Sequence, residues 1–140
     1  MELAIAADSH ETRRARDWLA TACRQRSVPK MEVERLALIL EEVLANIVAH
    51  GGETARSEPI RVQLEVEGGN AALVTVSDAG KAFDPLNATL QSVPLTLEDA
   101  TPGGMGLRMI RQCTPLQYRR EAGRNHLTFG TRWSPDSIPS

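Results

Sequence analysis

A carboxylate and a carboxamide stand four residues apart at Glu42 and Asn46, a spacing that puts both side chains on one side of a helix, one turn apart. Aimed together from a half-buried surface, such a pair can organise a divalent cation and a reacting hydroxyl. Further along, Asp78 ends an apolar run and is followed by Gly80. A carboxylate at a strand end can accept a hydrogen bond from an exocyclic amine such as that of adenine, and the glycine lets backbone approach a flat ligand. Later still, Gly103, Gly104 and Gly106 precede a helical pattern that opens at Leu107. Glycines at the mouth of a helix leave backbone N–H groups approachable at its positive end, where phosphate oxygens are attracted. This is not a P-loop, because no Lys-Ser/Thr follows the glycines, and dinucleotide spacing after a first strand is missing as well. Taken singly, each stretch also has an ordinary reading: a solvated Glu and Asn, a turn Asp, a plain glycine turn.

The elements that must carry these residues follow from periodicity. Leu36, Leu40, Val43 and Ile47 recur at three- and four-residue steps with Ile39 beside them, which predicts one long amphipathic helix with a core-facing stripe. Ser27-Val28-Pro29 opens it and Gly51-Gly52 closes it. Before it, residues 2–6 form a short strand, and Asp8 and Ser9 supply N-cap oxygens for a helix running to about residue 25. That helix packs Ala15, Trp18, Leu19, Ala22 and Cys23 inward and leaves Arg13, Arg14, Arg24 and Arg26 in water. Residues 53–59 read as a polar, turn-rich connection. Residues 60–67 alternate apolar and polar, and Gly68-Gly69-Asn70 then turns the chain into an antiparallel partner, residues 71–77, which delivers Asp78. Residues 87–101 lack strong periodicity and contain Pro94, the pattern of a flap. A last helix runs from Leu107 to about residue 113, with Leu107, Met109 and Ile110 inward. Strands at 116–122 and 126–133, joined through Gly123-Arg124-Asn125, complete a sheet of sequence-adjacent strands, and residues 134–140 form a frayed tail.

A chain of 140 residues fits one domain with a single core, here residues 1–133. Sixteen Lys plus Arg against eighteen Asp plus Glu leave a formal charge of −2, which argues against broad electrostatic adhesion to nucleic acid or acidic membranes. The first residues lack the length and basic flank of a signal peptide, and no run approaches the ~20 apolar residues of a membrane span. A soluble, cytoplasmic protein is expected. Cys23 and Cys113 read as buried free thiols, and His10, His50 and His126 are too scattered for a zinc site.

Glu42-x-x-x-Asn46, then Asp78-x-Gly80-x-x-Phe83-Asp84-Pro85, then Gly103-Gly104-x-Gly106-Leu107, in that order, resemble the N, G1 and G2 boxes of the GHKL (Bergerat-fold) ATPases. The segment from Ala15 to Leu19, the Asn46-x-x-x-His50 ending and the Phe83-Asp84-Pro85 triplet are similar to the anti-sigma-factor serine/threonine kinase branch. The resemblance implies an α+β fold, a two-layer α/β sandwich with a mixed, mostly antiparallel sheet and three main helices on one face. It further implies ATP and Mg²⁺ as cofactors. Asn46 would coordinate the metal, and Glu42 would act as base or orienting group toward the attacking hydroxyl. Asp78 would bind the adenine amine, with Gly80 giving the ring room and Phe83 at the nucleotide. Gly104, Met105, Gly106 and Leu107 would hold phosphate oxygens beneath the flap. The implied partners are a sigma factor, which a homodimer sequesters, and a small anti-sigma-factor antagonist that is phosphorylated. Direct contact with nucleic acid or membrane is not expected. Arg16 is a candidate partner contact, with a surface salt bridge as the plainer reading. One position departs from the pattern: Ala82 stands where the family carries a second glycine in the first glycine box. That departure supports an alternative, a nucleotide-dependent binding module without phosphotransfer. A detached histidine-kinase catalytic domain is disfavoured by the short flap and by the lack of a phosphoacceptor histidine on a suitable helix.

Overall fold

The computed structural model describes residues 1–83 and 116–134. In chain order the elements are β1 (Glu2–Ile5), α1 (Ser9–Gln25), α2 (Lys30–His50), α3 (Gly52–Ser57), β2 (Ile60–Glu67), β3 (Ala71–Asp78), β4 (Leu116–Glu121) and β5 (Arg124–Arg132). The fold is α+β, as expected. Asp84, Pro85, the proposed flap, the glycine turn with Gly104, Met105, Gly106 and Leu107, the helix after it, Cys113 and residues 135–140 lie outside the described residues.

Local signals explain most boundaries. The Asp8 carboxylate accepts from the backbone N–H of Glu11 at 2.8 Å and caps α1, satisfying one of the donors that a helix start leaves free. Helix α2 begins after Pro29 and ends at His50, where the Gly51 N–H donates to the Ile47 carbonyl at 2.8 Å. Gly52, with φ of +75°, turns the chain sharply. The turn-rich connection expected over 53–59 is instead the short helix α3, because Ala55 finds a fully buried seat beneath it. Glu53, Ala55 and Arg56 are also adequate helix formers.

The sheet order is β1-β2-β3-β5-β4, and all four pairings are antiparallel. Two sequence expectations change here. The described strands contain no parallel pair, and β5 rather than β4 lies beside β3, so the strands are not in simple sequence order. Burial decides the order: Asn125, Leu127 and Phe129 of β5 are inside, whereas Arg119, Arg120 and Glu121 leave β4 fit only for an edge. The hairpin between them is also tighter than expected. Ala122 and Gly123, at φ of 53° and 76°, form the turn, so Arg124 already pairs with Glu121 and Asn125 falls opposite Asp78.

The core lies between this sheet and α1 and α2. Leu19, Leu36, Ile39, Leu40 and Leu44 from the helices meet Val62, Val74, Val76 and Phe129 from the strands, all essentially inaccessible. Each such side chain contributes about 1.5–3 kcal/mol of burial free energy. Cys23 is a free, buried thiol, and burial pushes its pKa up to about 11. The opposite sheet face carries exposed Arg61, Gln63 and Glu65, with a Thr75–Thr128 hydroxyl contact of 3.0 Å across β3 and β5. No described helix is long and apolar enough to cross a membrane.

Candidate functional site

Helix α2 is greasy along its whole buried face, but its last two turns also turn one flank to a cavity. Val43, Asn46, Ile47 and His50, at three- and four-residue steps, form that flank. The opposite wall comes from the ends of β3, β4 and β5 through Val76, Asp78, Tyr118, Asn125 and Leu127. Gly51, Lys81 and Phe83 also line the cavity. The cavity is open to solvent on one side, and apolar surface dominates its described walls. Its composition is what a flat heteroaromatic ring requires: apolar walls with few polar atoms at fixed places. The Phe83 and His50 rings lie near parallel, 17° between planes with centroids 6.4 Å apart.

The polar atoms are held by a network centred on Asn125. Its Nδ2 donates to Asp78 Oδ1 at 3.2 Å and to the Lys81 carbonyl at 2.8 Å. Its Oδ1 accepts from the Tyr118 hydroxyl at 2.6 Å, Arg120 Nη1 at 3.2 Å and the Phe83 N–H at 3.3 Å. Arg120 Nη1 also donates to the Gly80 carbonyl at 2.7 Å. Asp78 itself is only 5% exposed. Its Oδ1 takes a further bond from the Gly80 N–H at 2.8 Å, so among the described residues its hydrogen bonds fall on one oxygen.

Gly80 does not line the cavity among the described residues. A Cβ there would stand 2.8 Å from Asp78 Oδ1 and 2.9 Å from the Gly51 Cα. The missing side chain lets the loop after β3 lie against the end of α2, where the Lys81 N–H donates to the Gly51 carbonyl at 3.1 Å.

Glu42 occupies a different setting. It is half-buried one turn back from Asn46 and is not among the described residues lining the cavity. Its Oε1 is buried and has no hydrogen-bond partner among the described residues. Burial raises its pKa above the ordinary 4.5, and the negative charge of neighbouring Glu41 adds to the rise. A half-buried acid with an unused oxygen is suited to take up a proton.

Thus Asn46, Asp78 and Phe83 come together on one cavity, with Glu42 on the adjoining turn. Sequence reasoning missed Asn125, Tyr118, His50 and Lys81. Reading Ala122-Gly123 as a two-residue turn would have put Asn125 inside β5, and only the pairing of β5 with β3 sets it opposite Asp78. Among the described residues no three His, Cys, Asp or Glu side chains gather as a metal cage. The Asn46 carboxamide on the cavity wall is an oxygen donor of the kind magnesium accepts when phosphates and water supply its other ligands. The cavity, with its carboxylate acceptor, fits a purine carrying an amine. Arg16 reaches from α1 to Glu41 on α2 at 3.4 Å.

A family profile described as "Histidine kinase-like ATPase domain" matches residues 5–131. The serine/threonine-protein kinase BtrW of Bordetella bronchiseptica is 36% identical over 103 residues, 73% of this chain and 72% of that protein. Among solved structures, the SiaB–SiaC complex from Pseudomonas aeruginosa contains a similar fold, with a TM-score of 0.67, 12% identity, and coverage of 94% of this chain and 88% of that one. With a matching profile that spans most of its length, this chain belongs to the histidine-kinase-like ATPase domain family.

Proposed function

We propose that this protein is an ATP- and Mg²⁺-dependent serine/threonine protein kinase of the partner-switching kind. In this reading a cytoplasmic homodimer sequesters a sigma factor and phosphorylates a small anti-sigma-factor antagonist. The observation that carries it is the convergence of Asn46 from α2 and Asp78 from β3 on one cavity, in a chain whose relative of 36% identity is named a serine/threonine-protein kinase.

When bound, ATP with Mg²⁺ would supply the transferable phosphoryl group and neutralise its charge, and the protein's task is positioning. Asp78 would accept a hydrogen bond from the adenine amine, and Phe83, on the same cavity, would face the base. Asn46 would offer its carbonyl oxygen to Mg²⁺. Gly104, Met105, Gly106 and Leu107, which lie outside the described residues, would hold phosphate oxygens. Glu42 orients the attacking hydroxyl of the antagonist and takes its proton, a role helped by a pKa raised through burial.

A second reading, a nucleotide-dependent binding module without transfer, draws on Ala82 in place of glycine and on the position of Glu42 outside the described cavity lining. Incubation with γ-labelled ATP and a candidate antagonist separates the two. Label on an antagonist serine or threonine supports the kinase. Mg-ATP binding with no transfer selects the binding module.

A further inference from the structure

Asn125 belongs to none of the three motifs, yet it is 5% exposed and makes five hydrogen bonds at the cavity wall. Its orientation follows from chemistry. The Phe83 N–H and the Arg120 guanidinium can only donate, so they require Oδ1 on their side. The Lys81 carbonyl and Asp78 Oδ1 can only accept, so they require Nδ2 on theirs. A flipped amide would set donors against donors and acceptors against acceptors. The amide therefore has one stable pose, and in that pose it anchors Asp78 Oδ1 jointly with the Gly80 N–H. A carboxylate held at one oxygen by two donors cannot rotate freely, and its other oxygen keeps a fixed aim.

Resting on the nucleotide reading above, we propose that Asn125 is a positioning residue that sets base specificity: by fixing the Asp78 carboxylate, it makes the cavity demand a hydrogen-bond donor on the purine ring. Adenine presents an amine at that position. Hypoxanthine presents a carbonyl oxygen there, which meets an acceptor that cannot turn away. Discrimination of this kind comes from leaving a buried polar group unpaired or opposed, and it exceeds what shape alone supplies. Tyr118 and Arg120 act through Asn125, because their donors lock the amide.

The test is calorimetric affinity for ATP and for inosine triphosphate, in wild type, Asn125→Ala and Tyr118→Phe, with circular dichroism and thermal melting to show that each variant is folded. Wild type is expected to prefer ATP by about 100-fold or more. In Asn125→Ala the preference falls below about 10-fold, because the freed carboxylate swings away from the carbonyl oxygen. Tyr118→Phe, which removes one hydroxyl and keeps the ring, lowers it about threefold and carries the test should Asn125→Ala fail to fold. A merely structural role would weaken both nucleotides alike and leave the ratio in place. An unchanged ratio in the folded variants, with wild type binding ATP, overturns the role of Asn125 alone. Wild type that binds neither nucleotide overturns the nucleotide reading along with it.

Discussion

The two ends of the candidate site are built on opposite principles. At the strand end, Asp78, Asn125, Tyr118, Arg120 and the Gly80–Lys81 backbone satisfy one another in a closed network. At the helix end, Glu42 keeps a buried oxygen without a partner among the described residues. A satisfied buried network is rigid and specifies one arrangement. A buried acid left unsatisfied costs folding free energy and is retained where that group has work to do. The contrast suits the proposed roles, recognition at the first and proton handling at the second.

The strongest way to break this division is Glu42→Gln. Phosphoryl transfer to the antagonist should fall by about 100–10,000-fold in single-turnover assays, while Mg-ATP affinity stays within about threefold of wild type. A parallel loss of affinity would move Glu42 into the binding half. Asn46→Ala should weaken Mg-ATP by about 10–100-fold, with a much smaller effect on metal-free ATP; equal losses in both, measured by calorimetry, would remove its metal role. Gly80→Ala sharpens the other half. A methyl group 2.8 Å from Asp78 Oδ1 and 2.9 Å from the Gly51 backbone should cost about 1–3 kcal/mol in urea unfolding. A variant as stable as wild type would mean that the loop is not wedged against α2.

Glu42 also predicts a pH signature. Its folded pKa lies above the unfolded one, so its protonated form is favoured by folding. Stability from this group is present below the ordinary value near 4.5 and is lost as pH rises through the raised folded value. Melting temperatures of Glu42→Gln should therefore gain on wild type as pH climbs through that window and level off above it; a constant offset at every pH would argue against a buried, unpartnered acid. The smallest effect belongs to Arg16→Ala. Its contact with Glu41 joins two side chains that are 37% and 50% exposed, and removing it should change stability by no more than about 0.5–1 kcal/mol.

Helix α2 was legible because a 3.6-residue apolar stripe, an initiating proline and a glycine stop all agree along its length. Strand β2 was equally plain, since inside and outside residues alternate without interruption. The reach of Asn46 and Asp78 to one place was implied by the resemblance of their motifs to the N and G1 boxes, not by periodicity or spacing. What stayed hidden was pairing between distant segments. The crossover that sets β5 beside β3 depends on which hairpin strand buries more, and it is that crossover which brings Asn125 to Asp78. A residue read as part of a turn became the centre of the polar network through one two-residue turn at Ala122-Gly123. The packing reason for Gly80 was hidden likewise, because the end of α2 that it meets lies nearly thirty positions earlier.

The most direct test of a purine cavity shared by α2 and β3 is titration of isotope-labelled protein with Mg-ATP, followed by amide nuclear magnetic resonance. Shared occupancy predicts shifts at the Gly80 and Phe83 amides and at the side-chain NH₂ groups of Asn46 and Asn125, with Thr75 and Thr128 on the far sheet face unmoved. Shifts confined to that far face, or none at saturating nucleotide, would contradict it.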